Sequence, residues 1–314
     1  MNRILSTVIA IGIVCIMACT SSAQERSWPS ISSMPSMPSS GPRSGQCQIL
    51  DRHLDNAYEV LLEVVPASDF TGYGESGVLE FGAEWRRVAF FKDFLMADLD
   101  LDLDFKSIIF LKSAGLKLPD QLLELSMDMG WTWRYVNGSA LQVRVRPGIY
   151  SDIEKIDSDA FFLPFSCAGI GALHPKLSGI AGLELRIGFE REVMPILGLE
   201  WEISEWLRLR AGLPESRLTC FFDRYWRSYL GLDWRSDTFS IREKGSFDRD
   251  TITIEDFHAY WGLSYSLTDE IQLIGEIGSI FSRGVEFGRQ EEESDDSVDI
   301  DKQVFLRMGI GGPF

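Results

Sequence analysis

Beyond its first twenty residues, this chain of 314 residues has no apolar run long enough for a transmembrane helix. Histidine is scarce, with three in the chain, and two of the five cysteines (Cys15 and Cys19) lie near the start. The remaining Cys47, Cys167 and Cys220 have neither the spacing of a zinc site nor the number of a disulfide framework. Cys167 falls in phase with Phe161, Leu163 and Phe165, and Cys220 with Leu218 and Phe222, so both read as small members of an apolar face. Bases are outnumbered, 30 against 47 acids, and the net charge of -17 excludes the broad basic face of a nucleic-acid binder. No phosphate-binding glycine loop, CxxC pair or HExxH motif occurs, and no cofactor or metal is expected.

What is present is alternation. In Ala97-Asp98-Leu99-Asp100-Leu101-Asp102-Leu103-Asp104-Phe105-Lys106 charge and hydrocarbon change places at every step. Only a β-strand turns a period of two into two clean faces, because successive side chains point to opposite sides of a sheet. One face would carry four aspartates and the other three leucines and a phenylalanine. The same pattern recurs in Leu123 to Tyr135, in Leu141 to Arg146 and in Phe257 to Leu267. Strands of soluble sandwiches usually run about five or six residues, whereas many here run about ten to fifteen, enough for a tilted bilayer crossing. Such strands show lipid only half their side chains, which accounts for the missing hydropathy peaks.

Arg3, the apolar stretch Ile4 to Ala18 and the small residues Ser21-Ser22-Ala23 have the layout of a secretory signal peptide, cleaved after Ala23. Ile16-Met17-Ala18-Cys19 also resembles a bacterial lipobox, which keeps lipidation of Cys19 as an alternative. Residues 24–57, rich in Ser, Pro and Met, read as a flexible periplasmic segment, and 58–314 as one barrel domain.

At the C-terminus Val304, Leu306, Met308, Ile310, Gly312 and Phe314 share a phase, and the sequence stops on the phenylalanine. This resembles the last strand of bacterial outer-membrane β-barrels, in which a final aromatic residue forms part of an assembly signal. Gly312 and Pro313 depart from the residues usual there. The resemblance spans Tyr58 to Phe314 and is to an uncharacterised outer-membrane barrel family of Gram-negative bacteria, of domain-of-unknown-function type. It implies an all-β, transmembrane antiparallel barrel in the outer membrane. It also implies membrane lipids and the barrel-assembly machinery as partners, and Phe314 as the assembly signal.

Turn lengths give a strand count. Barrels of this kind have short periplasmic turns and longer outside loops. Asn137-Gly138-Ser139, His174-Pro175-Lys176, Ser204-Glu205, Tyr225-Trp226-Arg227 and Thr268-Asp269-Glu270 serve as inside turns. Lys112 to Gln121, Asp152 to Asp159, Glu243 to Asp250 and the acidic Arg283 to Lys302 fall outside. With Ser228 to Arg242 and Tyr58 to Val65 each taken as one strand, the total is about fourteen, with twelve as the alternative. Trp85, Trp131, Trp133, Trp201, Trp206 and Trp226 lie close to inside turns, as a periplasmic aromatic girdle requires.

The inward phase then carries Glu80, Glu84, Asp98, Asp100, Asp102, Asp104, Glu124 and Asp128 on neighbouring strands, followed by Arg144, Arg146, Arg186, Arg208 and Arg210. Opposed acidic and basic walls would set a transverse field across a water-filled pore. Mutual pairing would instead fill a closed interior. The acidic stretch Glu291 to Asp301 lacks the glycine and spacing of a calcium loop and reads as a solvated surface. His258 has an inward phase, but Ser264 and Ser266 lie too far along the same strand for a catalytic pair, so no catalysis is expected. The expected function is porin-like passage of small hydrophilic solutes, with a closed structural or adhesive barrel as the alternative. A carrier of hydrophobic substrates, suited by Phe162, Pro164 and Ile180, is the third.

Overall fold

The computed structural model describes residues 57–70, 74–91, 97–111, 118–135, 139–153, 160–189, 192–241, 251–289, 292–300 and 302–313. The expected signal peptide, nearly all of the N-terminal segment and Phe314 lie outside these residues. Strands β1 (Ala57–Phe70), β2 (Gly74–Phe91), β3 (Ala97–Phe110) and β4 (Gln121–Arg134) run up and down unbroken. The fifth wall position is divided into β5 (Ala140–Val145) and β6 (Gly148–Asp152), and the sixth into β7 (Phe161–Phe162) and β8 (Phe165–His174). Four shorter strands follow: β9 (Leu177–Leu185), β10 (Val193–Ser204), β11 (Leu207–Leu213) and β12 (Glu215–Phe221). Then come β13 (Trp226–Ser240), β14 (Thr251–Ser266) and β15 (Gln272–Arg289), and a last wall position made of β16 (Glu292–Ile300) and β17 (Gln303–Pro313). β17 pairs with β15 on one side and with β1 on the other, closing a 14-strand antiparallel barrel.

The divisions of the fifth and sixth positions follow from proline, which cannot donate to a ladder. Pro147 and Pro164 sit at the breaks, and their carbonyls still accept from Met127 and Arg146 N–H at 2.9 Å each. The wall therefore bends without opening. The first strand was expected over Tyr58 to Val65, and Pro66 follows it. That proline lies where the β1–β2 register shifts, between Val65 and Ser68, and β1 instead continues to Phe70. A bulge absorbs the missing donor.

Both ends of the described chain, Ala57 and Pro313, lie at the rim of short turns, here termed the turn end. Two sequence expectations need correction. Tyr225-Trp226-Arg227 is not the turn, because β13 begins at Trp226. Asp223 Oδ1 accepts from Tyr225 N (2.6 Å) and Trp226 N (2.7 Å), a side-chain-closed turn one step earlier. Arg283 to Lys302 is not a loop either: β15 runs to Arg289 and returns as β16, with Val285 opposite Val298.

The outer surface is continuous hydrocarbon. Leu103, Leu125, Leu218, Leu230, Trp261, Leu306 and Met308 point outward, Met308 with 58% of its surface accessible. Cys167 and Cys220 are free and share this outward phase. Leu230, which faces Leu218 and Trp261 across the neighbouring strands, makes the consequence measurable. Leu230→Arg is expected to cost about 2–4 kcal/mol near the bilayer midplane, read as a lower denaturant midpoint in lipid vesicles.

The wall is not of even height. β12 pairs with β13 only as far as Glu215 opposite Asp233, and Trp234 N then bonds Pro214 O at 3.0 Å. β13 continues past that rim to Ser240, which forms a parallel bridge to Ser151 of β6 on the far side of the short strands. Arg186 reinforces the junction by donating to Ser236 O at 2.6 Å. The loop end is thus a tighter ring than the turn end. Its interior is packed with Tyr150, Phe162, Phe189 and Phe239, whose rings meet at centroid distances of 4.9 to 6.2 Å. Val78, Ile108, Leu122, Ile252, Val285 and Phe287 join the same cluster. The inward phase of β15 flips midway, because Phe281 is an extra residue where Phe257 faces Ser282 and His258 faces Ile280. That bulge turns Val285 and Phe287 inward.

Candidate functional site: lumenal ion pairs and a vestibule

Between the apolar septum and the turn end the lumen is charged, and strand register decides the partners. Asp100 lies opposite Gly130, and Gly130 lies opposite Arg144. A side chain at 130 would collide with the Asp100 carboxylate, so glycine leaves the track along which Asp100 reaches Arg144. Arg144 also holds Asp128 at 3.2 Å and Asp102 at 3.5 Å. Asp102 takes a second partner, Arg86 at 2.9 Å, which binds Glu84 at 2.7 Å. Arg146 bridges Asp104 (3.1 Å) and Glu124 (3.2 Å), and Arg134 holds Asp98 at 2.7 Å. The acids from Glu84 to Asp128 therefore meet arginines on their own strand, on the next one or, across β4, on the one beyond.

The remaining residues singled out from the sequence are dispersed. Glu80 lies 3.5 Å from both Lys106 and Arg235. Arg186 pairs with Glu184 at 2.9 Å near the loop end, and Arg208 with Glu202 at 3.4 Å. Arg210 reaches only Glu215, at 3.9 Å. His258 is fully buried, 3.4 Å from Asp256 Oδ2 and packed on Phe305, while Arg283 takes both Asp256 oxygens at 2.6 Å. Among the described residues no serine hydroxyl bonds to it, and no His, Cys, Asp and Glu group is placed to hold a metal. The acidic side chains of 291–301 lie outside the described residues.

Sequence reasoning did not single out Arg86, Lys106, Arg235 or Asp237, which complete these networks, nor the deeper Glu63–Arg307–Glu276 bridge. Their alternating phase is readable, but a partner is visible only once the register is known. Lys106 reaches Asp237 at 2.8 Å across 131 residues of sequence.

At the turn end the lumen widens into a vestibule of about 990 Å³. Tyr58, Thr268 and Asp269 lie at its mouth, and Asp100, Arg144 and Glu215 at its depth. Its walls differ. β1–β5 contribute Glu59, Glu84, Arg86 and Gln142; β8–β10 contribute Ala168, Ile170, Ile180 and Ile196; β11–β13 contribute Arg210, Arg217 and Arg227. Of the inward residues expected to suit an apolar substrate, Ile180 lines this space. Phe162 is buried in the septum and Pro164 serves the wall break.

No family model matches the chain, and no curated protein matches it in sequence. Among solved structures, an outer membrane channel from Pseudomonas putida F1 is 11% identical, covering 83% of this chain and 96% of that one with a TM-score of 0.42. The KdgM porin is 9% identical over 82% of this chain and 99% of its own, TM-score 0.34. A mutant of the TodX monoaromatic hydrocarbon channel is 11% identical over 86% and 93%, TM-score 0.42. Closed strand pairing, the hydrocarbon exterior and the charged interior together are those of an outer-membrane β-barrel.

Proposed function

We propose that this barrel is a gated channel of the bacterial outer membrane. Small hydrophilic solutes occupy its vestibule and cross when the aromatic septum at the loop end gives way. The observation that carries this reading is the polar vestibule of about 990 Å³, large enough for a small solute and its water. Among the described residues it ends against side chains, and side chains move on far shorter timescales than domains. On this reading the short turns face the periplasm, the hydrocarbon belt contacts outer-membrane lipid, and Phe314 addresses the assembly machinery.

Planar-bilayer recording of the refolded barrel is the test, with folding checked by heat-dependent gel mobility. Brief, small openings are the expected result. A well-folded barrel that stays electrically silent would instead support a closed structural or adhesive barrel, the reading favoured by the buried aromatic cluster itself.

The aspartate ladder gives a second readout. Replacing Asp98, Asp100, Asp102 and Asp104 together with asparagine keeps side-chain volume but takes carboxylate partners from Arg86, Arg134, Arg144 and Arg146, leaving Arg86 with Glu84, Arg144 with Asp128 and Arg146 with Glu124. The reversal potential in a salt gradient should then move toward anion preference. An unchanged potential would mean that permeating ions do not sense this wall.

A further inference from the structure

We infer that the arginine face of the vestibule, formed by Arg210, Arg217 and Arg227, is a binding subsite for an oxyanion, the carboxylate or phosphate of a small solute. The inference deepens the channel reading by naming a solute class, and its biological meaning rests on that reading.

The register is the first reason. Arg210 of β11 and Arg217 of β12 are direct cross-strand partners. Like charges placed directly opposite each other destabilise a sheet pair, and here a single carboxylate serves both. Glu215 lies 3.1 Å from Arg217 but 3.9 Å from Arg210. Arg227 lines the same space and donates only to neutral groups, Ser264 Oγ at 2.8 Å and Gln272 Oε1. Among the described residues the three guanidinium groups thus have one carboxylate, Glu215, within ion-pair distance, and Arg217 Nε is buried with no hydrogen-bond partner.

The second reason is that Arg217 is held ready. Tyr260 lies flat over Gly231 and Tyr229 over Gly262, where any side chain at either glycine would strike the ring. Arg217 rests on the Tyr229 ring, 4.8 Å from its centroid, and donates to Tyr260 Oη at 3.2 Å. A planar cation fixed in this way loses little further freedom on gripping a planar anion with two parallel bonds. The hairpin is fixed as well, since Ser216 Oγ accepts from Gly212 N (2.9 Å) and donates to Gly212 O (2.8 Å). Glu59 of β1 lines the same vestibule, within the electrostatic reach of Arg217 and Arg227 but held by neither in a close ion pair. It therefore supplies an acceptor for a hydroxyl or ammonium group of an organic solute, which inorganic phosphate lacks.

Calorimetric titration of the full-length barrel, refolded in detergent at low ionic strength, tests this with succinate and with inorganic phosphate as probes. Saturable binding of at least one probe is expected, weakened about tenfold or more in R210Q/R217Q. K176Q, which removes one positive charge as R227Q does but at an exposed turn outside the vestibule, should bind like the parent. Preference for succinate assigns the site to an organic acid, and preference for phosphate assigns it to the inorganic ion. If R210Q/R217Q fails to fold, R227Q, whose guanidinium has no carboxylate partner to leave behind, carries the same expectation. Absence of saturable binding by the folded parent, or equal affinity in the folded variants, overturns the inference. The channel reading fails separately: a barrel that binds but never conducts sinks only that, and one that conducts without binding sinks only this.

Discussion

Truncating Tyr150 and Phe239 together to alanine should raise unitary conductance by about an order of magnitude, because these rings block the lumen at the loop end and side-chain constrictions limit flow. Phe239 has no accessible surface and Tyr150 has 2%; the two rings pack against each other, and Tyr150 also packs against Phe162 and Phe189. A large aromatic-to-alanine change in a core typically costs about 3–5 kcal/mol. Phe281→Ala supplies the control: its ring points outward with 46% of its surface accessible, so its loss leaves the lumen unchanged. Should the double variant not refold, Phe239→Ala alone is expected to give more frequent openings of intermediate size. Conductance equal to that of the parent in a folded double variant would place the barrier elsewhere and remove the septum from the gating account.

The parts of this architecture that are local in sequence are the parts that sequence displays. Alternation in Ala97 to Lys106 depends only on the pleat of one strand, and it assigns Asp100 and Asp102 to one face and Leu103 to the other. Hairpin positions such as His174-Pro175-Lys176 and Thr268-Asp269-Glu270 depend on a few adjacent residues, and they lie where the turn chemistry puts them. Fourteen wall positions follow from counting such hairpins.

What escapes the sequence depends on comparison between strands. Whether Asp100 meets Arg144 or open water turns on Gly130 being the residue between them. The inward placement of Phe287 turns on one bulged residue, Phe281, that no periodicity announces. The parallel bridge between Ser151 and Ser240 depends on four short strands drawing two distant ones together. The vestibule's arginine face was hidden for a similar reason. Placing the turn at Tyr225-Trp226-Arg227 consumed Arg227, whereas the Asp223 turn leaves it inside the wall.

Arg307→Gln is the single change expected to cost most in stability. Register places Arg307 of β17 directly opposite Glu63 of β1 and Glu276 of β15, so one guanidinium fastens the seam where the barrel closes. Its Nε lies 2.9 Å from Glu63 Oε2 and its Nη1 2.6 Å from Glu276 Oε2. Glu63 and Arg307 are separated by 244 residues in sequence, and neither they nor Glu276 exceeds 6% accessibility. Removing the cation leaves two buried carboxylates facing each other without compensation, and breaking such a bridge from one side typically costs about 3–5 kcal/mol. Tyr229 Oη, which donates to Glu276 Oε1 at 2.6 Å, cannot neutralise either charge. Neutralising the acids as well distinguishes lost charge balance from lost packing: relative to R307Q, the variant R307Q/E63Q/E276Q keeps the side-chain volumes but leaves no ion of this bridge buried. Its denaturant midpoint in vesicles should return most of the way to that of the parent, because the net value of a buried bridge is far smaller than the penalty of half of one. A triple variant as unstable as R307Q would show instead that the guanidinium acts at the seam through shape and hydrogen bonding, and the charge argument would fall.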